Sequence, residues 1–155
     1  VDNLKKIYNL EKYVLLFPFC SINLQHKKWP HFNNLVSLIN KRYSKIKIII
    51  APGPHEIKES NTINAQTILK DDKALTITEL AGLIQDSEFV ISNDTGPAHI
   101  SAHLGAKGIA LFGRHTTPKK VSMETDKFKT ISKYDLNELS AEEVFSKISK
   151  ELSLI

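Results

Sequence analysis

The stretch that decides the fold runs from Glu88 to His99 and reads EFVISNDTGPAH. Its first half is apolar and rich in β-branched residues, which is typical of a strand buried on both faces. Its second half starts with polar residues and a glycine and continues with Pro97, a residue suited to the first turn of a helix. We therefore predict a strand that passes through a tight turn directly into a helix.

Three other short apolar runs also read as buried strands, and they cover residues 14–19, 46–51 and 108–112. Between them lie helical patterns. Apolar residues at i, i+3, i+4 and i+7 spacing start at Phe32 and again at Ala141, which predicts two amphipathic helices. Strands that alternate with helices pair in parallel through right-handed crossovers. The sequence thus predicts an α/β fold, a Rossmann-like open parallel sheet flanked by helices, with ligands bound beyond the carboxyl ends of the strands.

Two helix starts are predicted separately by the S/T-x-x-E spacing, in which each side chain satisfies the other residue's free amide. The pairs are Thr76 with Glu79 and Ser140 with Glu143.

Length and composition fit one globular domain, since the chain has 155 residues with 41% hydrophobic and 25% charged residues. We expect residues 1–12 to be a linker or N-terminal extension and residues 13–155 to be the domain. The single Cys20 lies in an apolar run and cannot form an internal disulfide, which favours the reducing cytoplasm. The longest apolar run is far shorter than the roughly 20 residues of a membrane-spanning helix.

The formal net charge of +4 comes mostly from lysines, because the chain has only two arginines, Arg42 and Arg114. Proteins that read nucleic acid usually rely on arginine, so we expect no nucleic-acid partner. A solvated lysine surface explains the charge, and an anionic small molecule or an acidic membrane surface remains open.

The polar turn after residue 92 has the chemistry of a phosphate site. A helix amino terminus presents unpaired N–H groups and a partial positive charge, and Gly96 would let a phosphate approach the backbone. The oxygens of Asp94 suit sugar hydroxyls. In the alternative interpretation, Asp94 and Thr95 cap the helix and His99 packs beneath it.

The stretch from Asn93 to Gly113 resembles the signature of the ADP-heptose:lipopolysaccharide heptosyltransferases, glycosyltransferase family 9. Three other segments follow in that family's order: a loop at 18–21 with Lys27-Lys28-Trp29-Pro30 after it, a turn at 53–56, and a helix start at 75–80. The resemblance spans the chain from Tyr13 onward. It implies the C-terminal half of a GT-B enzyme, which has two Rossmann-like domains.

The resemblance assigns five residues to the donor's diphosphate. Ser21 would hydrogen-bond it, and Lys27 would neutralise it, with Lys28 as a substitute. Thr95 and Gly96 would hold phosphate.

The resemblance assigns four further residues to the rest of the donor. Glu56 would accept hydrogen bonds from the ribose hydroxyls, and the backbone near Leu75 would meet the base edge. Asp94 would bind the heptose hydroxyls, and His99 would support that loop or the diphosphate.

The implied function is donor binding in an inverting glycosyltransferase that moves heptose, or a related sugar, from an ADP-sugar to a lipopolysaccharide-type acceptor. Its general base would lie on the N-terminal GT-B domain, so no catalytic residue is expected in this chain. Backbone N–H donors and a lysine would stabilise the leaving diphosphate, so no metal or cofactor is expected either. The implied partners are the donor, a lipid-linked oligosaccharide acceptor and that domain, in the cytoplasm or at the inner face of the membrane. Two alternatives stay open: a stand-alone nucleotide or nucleotide-sugar binding module, and a fragment of a GT-B nucleotide-sugar epimerase.

Two segments depart from the family pattern. The first loop usually has a glycine where Phe19 stands and is shorter before the lysine. After Gly113 the family continues with a short Pro/Thr loop, whereas residues 114–118 here are more basic. A sugar related to heptose therefore stays open.

Two features of the sequence carry a second interpretation. His99 and His103 have the i, i+4 spacing of helical zinc ligands, but the accompanying glutamate is replaced by Ile100 and no third ligand is obvious, which favours packing or hydrogen bonding. Trp29 could stack on a nucleotide base, but an indole at a helix start more often packs in the core.

Overall fold

The computed structural model describes residues 1–114 and 123–155 of the chain. Within these residues, six strands form one parallel sheet in the order β3-β2-β1-β4-β5-β6. The strands are β1 Tyr13–Phe17, β2 Lys47–Ile50, β3 Gln66–Thr67, β4 Phe89–Asn93, β5 Gly108–Phe112 and β6 Phe128–Ser132. The predicted Rossmann-like parallel sheet is confirmed.

The helices that flank the sheet are α1 Asp2–Ile7, α2 Phe32–Arg42, α3 Ile77–Gln85, α4 Gly96–His103 and α5 Ala141–Leu152. Short 3₁₀ turns lie at Ile22–Lys27, Glu59–Thr62 and Leu136–Glu138. No helix in the described ranges is long and apolar enough to span a bilayer.

The core lies on both faces of the sheet, because alternate residues of a strand point to opposite sides. Val14 and Leu16 of β1 pack with the apolar stripes of α2 and α5. Leu15 and Phe17 of the same strand pack with α3 and α4 on the opposite face. This burial on two faces explains why the central strands are continuous apolar runs, as the sequence indicated.

The helix-start prediction at Thr76 is confirmed in full. The Thr76 hydroxyl accepts from the Glu79 amide at 3.2 Å, and the Glu79 carboxylate accepts from the Thr76 amide at 2.9 Å. At the start of α5 only half of the box forms, because Ser140 accepts from the Glu143 amide while the Glu143 carboxylate lies 3.6 Å from Lys133.

Strands β3 and β6 were not predicted from the sequence. Strand β3 has two residues, which is too short to show a period. Strand β6 lies at the edge of the sheet, and its polar and partly exposed residues hide its strand character. Strand β1 also ends at Phe17, two residues before the predicted run ends.

Residues 1–12 contact the rest of the chain. Leu4 and Leu10 are buried, and Lys5 pairs with Asp86 after α3 at 3.1 Å. The Tyr8 hydroxyl donates to the Leu69 carbonyl at 2.9 Å. The domain boundary at residue 12 stays a prediction. Of the basic segment 114–118, residues 115–118 lie outside the described residues.

The strand order places the ligand-binding edge. Strands β2 and β3 lie on one side of β1, and β4, β5 and β6 lie on the other. The strand order therefore switches direction between the neighbouring strands β1 and β4. In open α/β sheets a crevice forms beyond the carboxyl ends of the strands at this switch point. The segments after Phe17 and Asn93 border that crevice.

Candidate functional site

A cavity of about 310 Å³ opens at the carboxyl ends of β1 and β4. Its walls come from the loop after β1, the turn after β2 and the start of α4. Seven of the nine predicted site residues line it: Ser21, Lys27, Glu56, Asp94, Thr95, Gly96 and His99. Segments that lie far apart in the sequence thus converge at the predicted edge of the sheet.

The Lys27–Asp94 ion pair crosses this cavity. The Lys27 Nζ lies 3.3 Å from Asp94 Oδ2, and the Asp94 side chain is only 3% exposed, against 22% for Lys27. On the other side of the carboxylate, His99 Nε2 lies 3.8 Å from Asp94 Oδ1. A carboxylate this deeply buried requires a nearby positive charge or hydrogen-bond donors, because water cannot solvate it.

The start of α4 presents backbone donors to the cavity. Thr95 is the N-cap residue, but its side chain accepts no capping bond and lies 3.4 Å from the Ser92 hydroxyl. No acceptor among residues 1–114 and 123–155 takes the amide hydrogen of Thr95 or Gly96. A Cβ built on Gly96 would meet nothing within 4 Å. The turn thus has free N–H groups and open space, which suits an anion better than the capping interpretation.

Asn93 fixes the loop after β1, a role that the sequence did not reveal. Its side chain is fully buried, donates to the Pro18 carbonyl at 2.9 Å and accepts from the Trp29 amide at 3.0 Å. Both ends of the loop that carries Ser21 and Lys27 are therefore tied to the end of β4. The available signal was a polar amide at the end of an apolar strand.

Trp29 belongs to the core, as its position at a helix start predicted. Its side chain is buried, and the indole N–H donates to the Leu139 carbonyl at 2.7 Å. The ring also packs edge-to-face against Phe32, with centroids 5.0 Å apart.

Glu56 forms the turn after β2. Its carboxylate accepts from the Gly53 amide at 2.8 Å, and the residue lines the cavity. Together with Ser21, Glu56 also borders a second cavity of about 570 Å³ beside the first.

Two predicted site residues do not line the cavity. Lys28 pairs with Glu59, and its ammonium stands 5.5 Å from the centre of the Phe19 ring. Leu75 is partly buried against the core on the α3 face of the sheet. The structure thus brings Lys27, and not its neighbour, to Asp94, and leaves Leu75 apart from the ion pair.

Cys20 forms part of the cavity wall. Its thiol is buried and donates to the Leu24 carbonyl at 3.1 Å. Burial raises the pKa of the Cys20 thiol, since the thiolate loses solvation. We therefore assign it a packing role.

The two helical histidines do not converge. His103 Nδ1 lies 2.7 Å from the His99 carbonyl oxygen, whereas the His99 ring faces Asp94. Within the described part of the chain, no group of three or more His, Cys, Asp or Glu side chains is placed to hold a metal ion.

Solved structures share this fold at low sequence identity. The heptosyltransferase WaaC of E. coli, solved with ADP-2-deoxy-2-fluoro heptose, superposes with a TM-score of 0.77 at 22% identity, over 92% of this chain and 44% of that chain. For E. coli ADP-heptose lps heptosyltransferase II the TM-score is 0.80 at 14% identity, over 99% and 51% of the two chains.

More distant enzymes share the fold as well. A UDP-GlcNAc 2-epimerase of Methanocaldococcus jannaschii gives a TM-score of 0.65 at 16% identity, over 98% of this chain and 42% of the epimerase. The chain spans about half the length of these proteins, and the likeness concerns the fold alone. Comparison with curated proteins found no match.

The family is decided by the sequence match. The model of Glycosyltransferase family 9 (heptosyltransferase) matches residues 2–149, nearly the whole chain. The ion pair, the free amides of α4 and the switch-point cavity all lie inside that match. The chain therefore belongs to glycosyltransferase family 9.

Proposed function

We propose that this domain binds the nucleotide-sugar donor of an inverting glycosyltransferase, and that the donor is ADP-heptose or a related ADP-sugar. One observation carries the proposal: the cavity at the switch point joins free backbone donors, a lysine and a buried carboxylate. The match to the heptosyltransferase family supports the choice of sugar, and WaaC was solved with an ADP-heptose analogue.

The diphosphate binds at the start of α4 in this proposal. The amides of Thr95 and Gly96 donate to phosphate oxygens, and Lys27 supplies a full positive charge next to them. Ser21, which also lines the cavity, adds a hydroxyl donor. Lys28 is held by Glu59 and contributes less to this site.

The nucleoside and the sugar lie on either side of the diphosphate. Glu56 accepts from the ribose hydroxyls, and the base extends toward the backbone near Leu75. Asp94 accepts from hydroxyls of the heptose, and His99 supports its carboxylate from a distance of 3.8 Å.

In the transfer reaction, a hydroxyl of the acceptor attacks the anomeric carbon while its bond to the diphosphate breaks. Negative charge then accumulates on the leaving ADP. Donors that are already in place stabilise this charge more in the transition state than in the ground state, so the chemistry needs no metal. The general base would lie on an N-terminal GT-B domain, which would also bind the lipid-linked acceptor at the inner face of the cytoplasmic membrane.

The test is calorimetric titration of this chain with ADP, UDP, GDP and CMP, in EDTA and again with magnesium. We expect ADP to bind best and equally well in both conditions. Binding that appears only with magnesium would contradict a metal-free phosphate site.

The same titrations test the open alternatives. A preference for UDP would favour an epimerase, an alternative supported by the shared fold with a UDP-GlcNAc 2-epimerase. A natural reading frame without an upstream Rossmann-like half would favour a stand-alone binding module.

A further inference from the structure

The Lys27–Asp94 ion pair occupies the place where we propose that the donor's charged and polar groups bind. We infer that Asp94 competes with a bound diphosphate for Lys27, so that the domain holds free ADP less tightly than the intact ADP-sugar. The inference rests on the proposed function and adds a means by which the site discriminates substrate from product.

In the proposed complex, the Lys27 ammonium has two anions to pair with, Asp94 and the diphosphate. Lys27 stands on the loop after β1 and Asp94 on the turn after β4, so their 3.3 Å contact bridges the crevice. The same cavity is lined by Thr95 and Gly96, the proposed phosphate donors. A diphosphate at those amides carries at least two negative charges and draws Lys27 toward itself.

Movement of Lys27 toward phosphate has a cost at Asp94. With its side chain 3% exposed, the carboxylate gains little from water when its ion pair weakens. It also gains a like-charged neighbour. His99 Nε2 lies 3.8 Å from the other oxygen of the carboxylate. In this scheme phosphate does not draw His99 away, so His99 does not distinguish the two ligands.

The sugar removes this cost. Hydroxyls of an ADP-sugar donate hydrogen bonds to the Asp94 carboxylate, and these bonds replace the ion pair with Lys27. Free ADP has no such hydroxyls at this position. Once the sugar has been transferred, Asp94 loses these hydrogen bonds and again competes with the diphosphate for Lys27. The remaining ADP is therefore held less tightly.

The experiment is calorimetric titration of ADP and ADP-heptose into wild type, Asp94→Asn, Lys27→Met and the double variant. Asparagine keeps the shape of the side chain and removes its charge. We expect Asp94→Asn to bind ADP roughly tenfold more tightly, or about 1.4 kcal/mol. ADP-heptose should gain nothing, and Lys27→Met should cost more ADP affinity in the Asp94→Asn background than in wild type.

The matched control is Asp86→Asn, which removes a carboxylate paired with Lys5 at 3.1 Å outside the cavity. It should leave both affinities unchanged. Circular dichroism and thermal melting establish that each variant is folded, and Asp94→Ser replaces Asp94→Asn if the latter is not.

Two results would overturn the competition. One is an ADP affinity that is unchanged or lower in a folded Asp94 variant. The other is a gain in ADP affinity from Asp94→Asn that is equally large in wild type and in the Lys27→Met background. That result would mean that Asp94 repels the phosphate directly and does not compete with it for Lys27. Failure of the wild-type chain to bind ADP would instead refute the proposed function itself.

Discussion

Gly96 and Gly108 lack a side chain for opposite physical reasons. A Cβ on Gly96 would enter open space in the cavity. A Cβ on Gly108 would lie 2.6 Å from the Phe128 ring and 2.6 Å from the Val90 carbonyl oxygen. Close packing therefore favours a glycine at 108, whereas at 96 packing does not require one and the open space is available to a ligand.

We expect Gly96→Val to abolish detectable ADP binding while the fold is kept, because the branched side chain fills the space that phosphate needs. The free energy of unfolding should change by no more than about 0.5 kcal/mol, as for other substitutions without clashes. Calorimetry and urea denaturation measure the two effects. Unaltered affinity in a folded variant would place the phosphate elsewhere.

Gly108→Ala is the matched glycine control for this prediction. It should destabilise the domain by about 1–3 kcal/mol, since the added methyl group overpacks the start of β5. At temperatures where it remains folded, it should bind ADP like wild type.

The helix start after β4 could be predicted from the sequence, because Pro97 suits the first turn of a helix. Seven of the nine residues assigned to the site line one cavity, because the carboxyl ends of parallel strands lie at the same edge of the sheet; their roles in binding stay predictions. The partners of individual charges could not be predicted. Whether Lys27 or Lys28 reaches Asp94 depends on a turn whose geometry follows from the Asn93 bonds, which join residues distant in the sequence.

At the level of elements, the start of α3 combines a capping box with an ion pair. The Glu79 carboxylate accepts a hydrogen bond from Lys70 and another from the Thr76 amide. These bonds lower the pKa of Glu79 to about 2, and the bond from Lys70 has the largest effect. The unfolded chain should titrate near the ordinary glutamate value of about 4.3.

This difference predicts a pH dependence of stability. A lowered pKa in the folded state stabilises the fold fully above the unfolded value and loses its effect as pH falls toward 2. Wild type should therefore be more stable than Glu79→Gln at pH 6, and the gap should close as the pH falls below 4. Glutamine keeps the capping hydrogen bond, so the comparison isolates the charge.

Chemical denaturation at a series of pH values measures the gap. Repeating the comparison in a Lys70→Met background provides the control, because the first cause of the shift is then absent. A gap that persists unchanged at pH 2.5, or that is equally large without Lys70, would show that this ion pair does not stabilise α3.

Elements with a strong local signal were predictable. The amphipathic stripe of α2 and the box at Thr76 depend on neighbours within one or two turns of helix. Strands β3 and β6 were missed because their stability comes from pairing with β2 and β5 and not from their own residues. Helix α1 was missed as well, since its six residues pack by a few buried side chains.

For the whole molecule, the important fact is that the cavity is built from this chain alone, while the chain spans 44% of WaaC and 51% of heptosyltransferase II. Binding of a donor and transfer of its sugar are therefore separable properties in this proposal. The proposed donor contacts lie in the described residues, and the acceptor contacts would lie on another domain.

We expect the 155-residue chain alone to bind ADP-heptose and to transfer no sugar. Orientation of acceptor against donor can lower a barrier by about 7–11 kcal/mol, and a general base adds roughly a hundredfold to ten-thousandfold. Both would be absent. A product assay with a lipid-linked acceptor tests this, with a two-domain heptosyltransferase as the positive control. Robust turnover by this chain would contradict the proposal that sugar transfer needs a second domain.

The two hydrogen bonds of Asn93 also bear on how the family can change. They pin both ends of residues 19–28, so this segment is a closed ring anchored to the sheet. The entropic cost of closing such a ring grows only with the logarithm of its length, and each doubling of the length adds about 0.6 kcal/mol. Residues can therefore be inserted inside the ring at little cost, so the longer first loop that the family resemblance indicates would still bring Lys27 to Asp94. We expect length variation among relatives to concentrate between these two anchors.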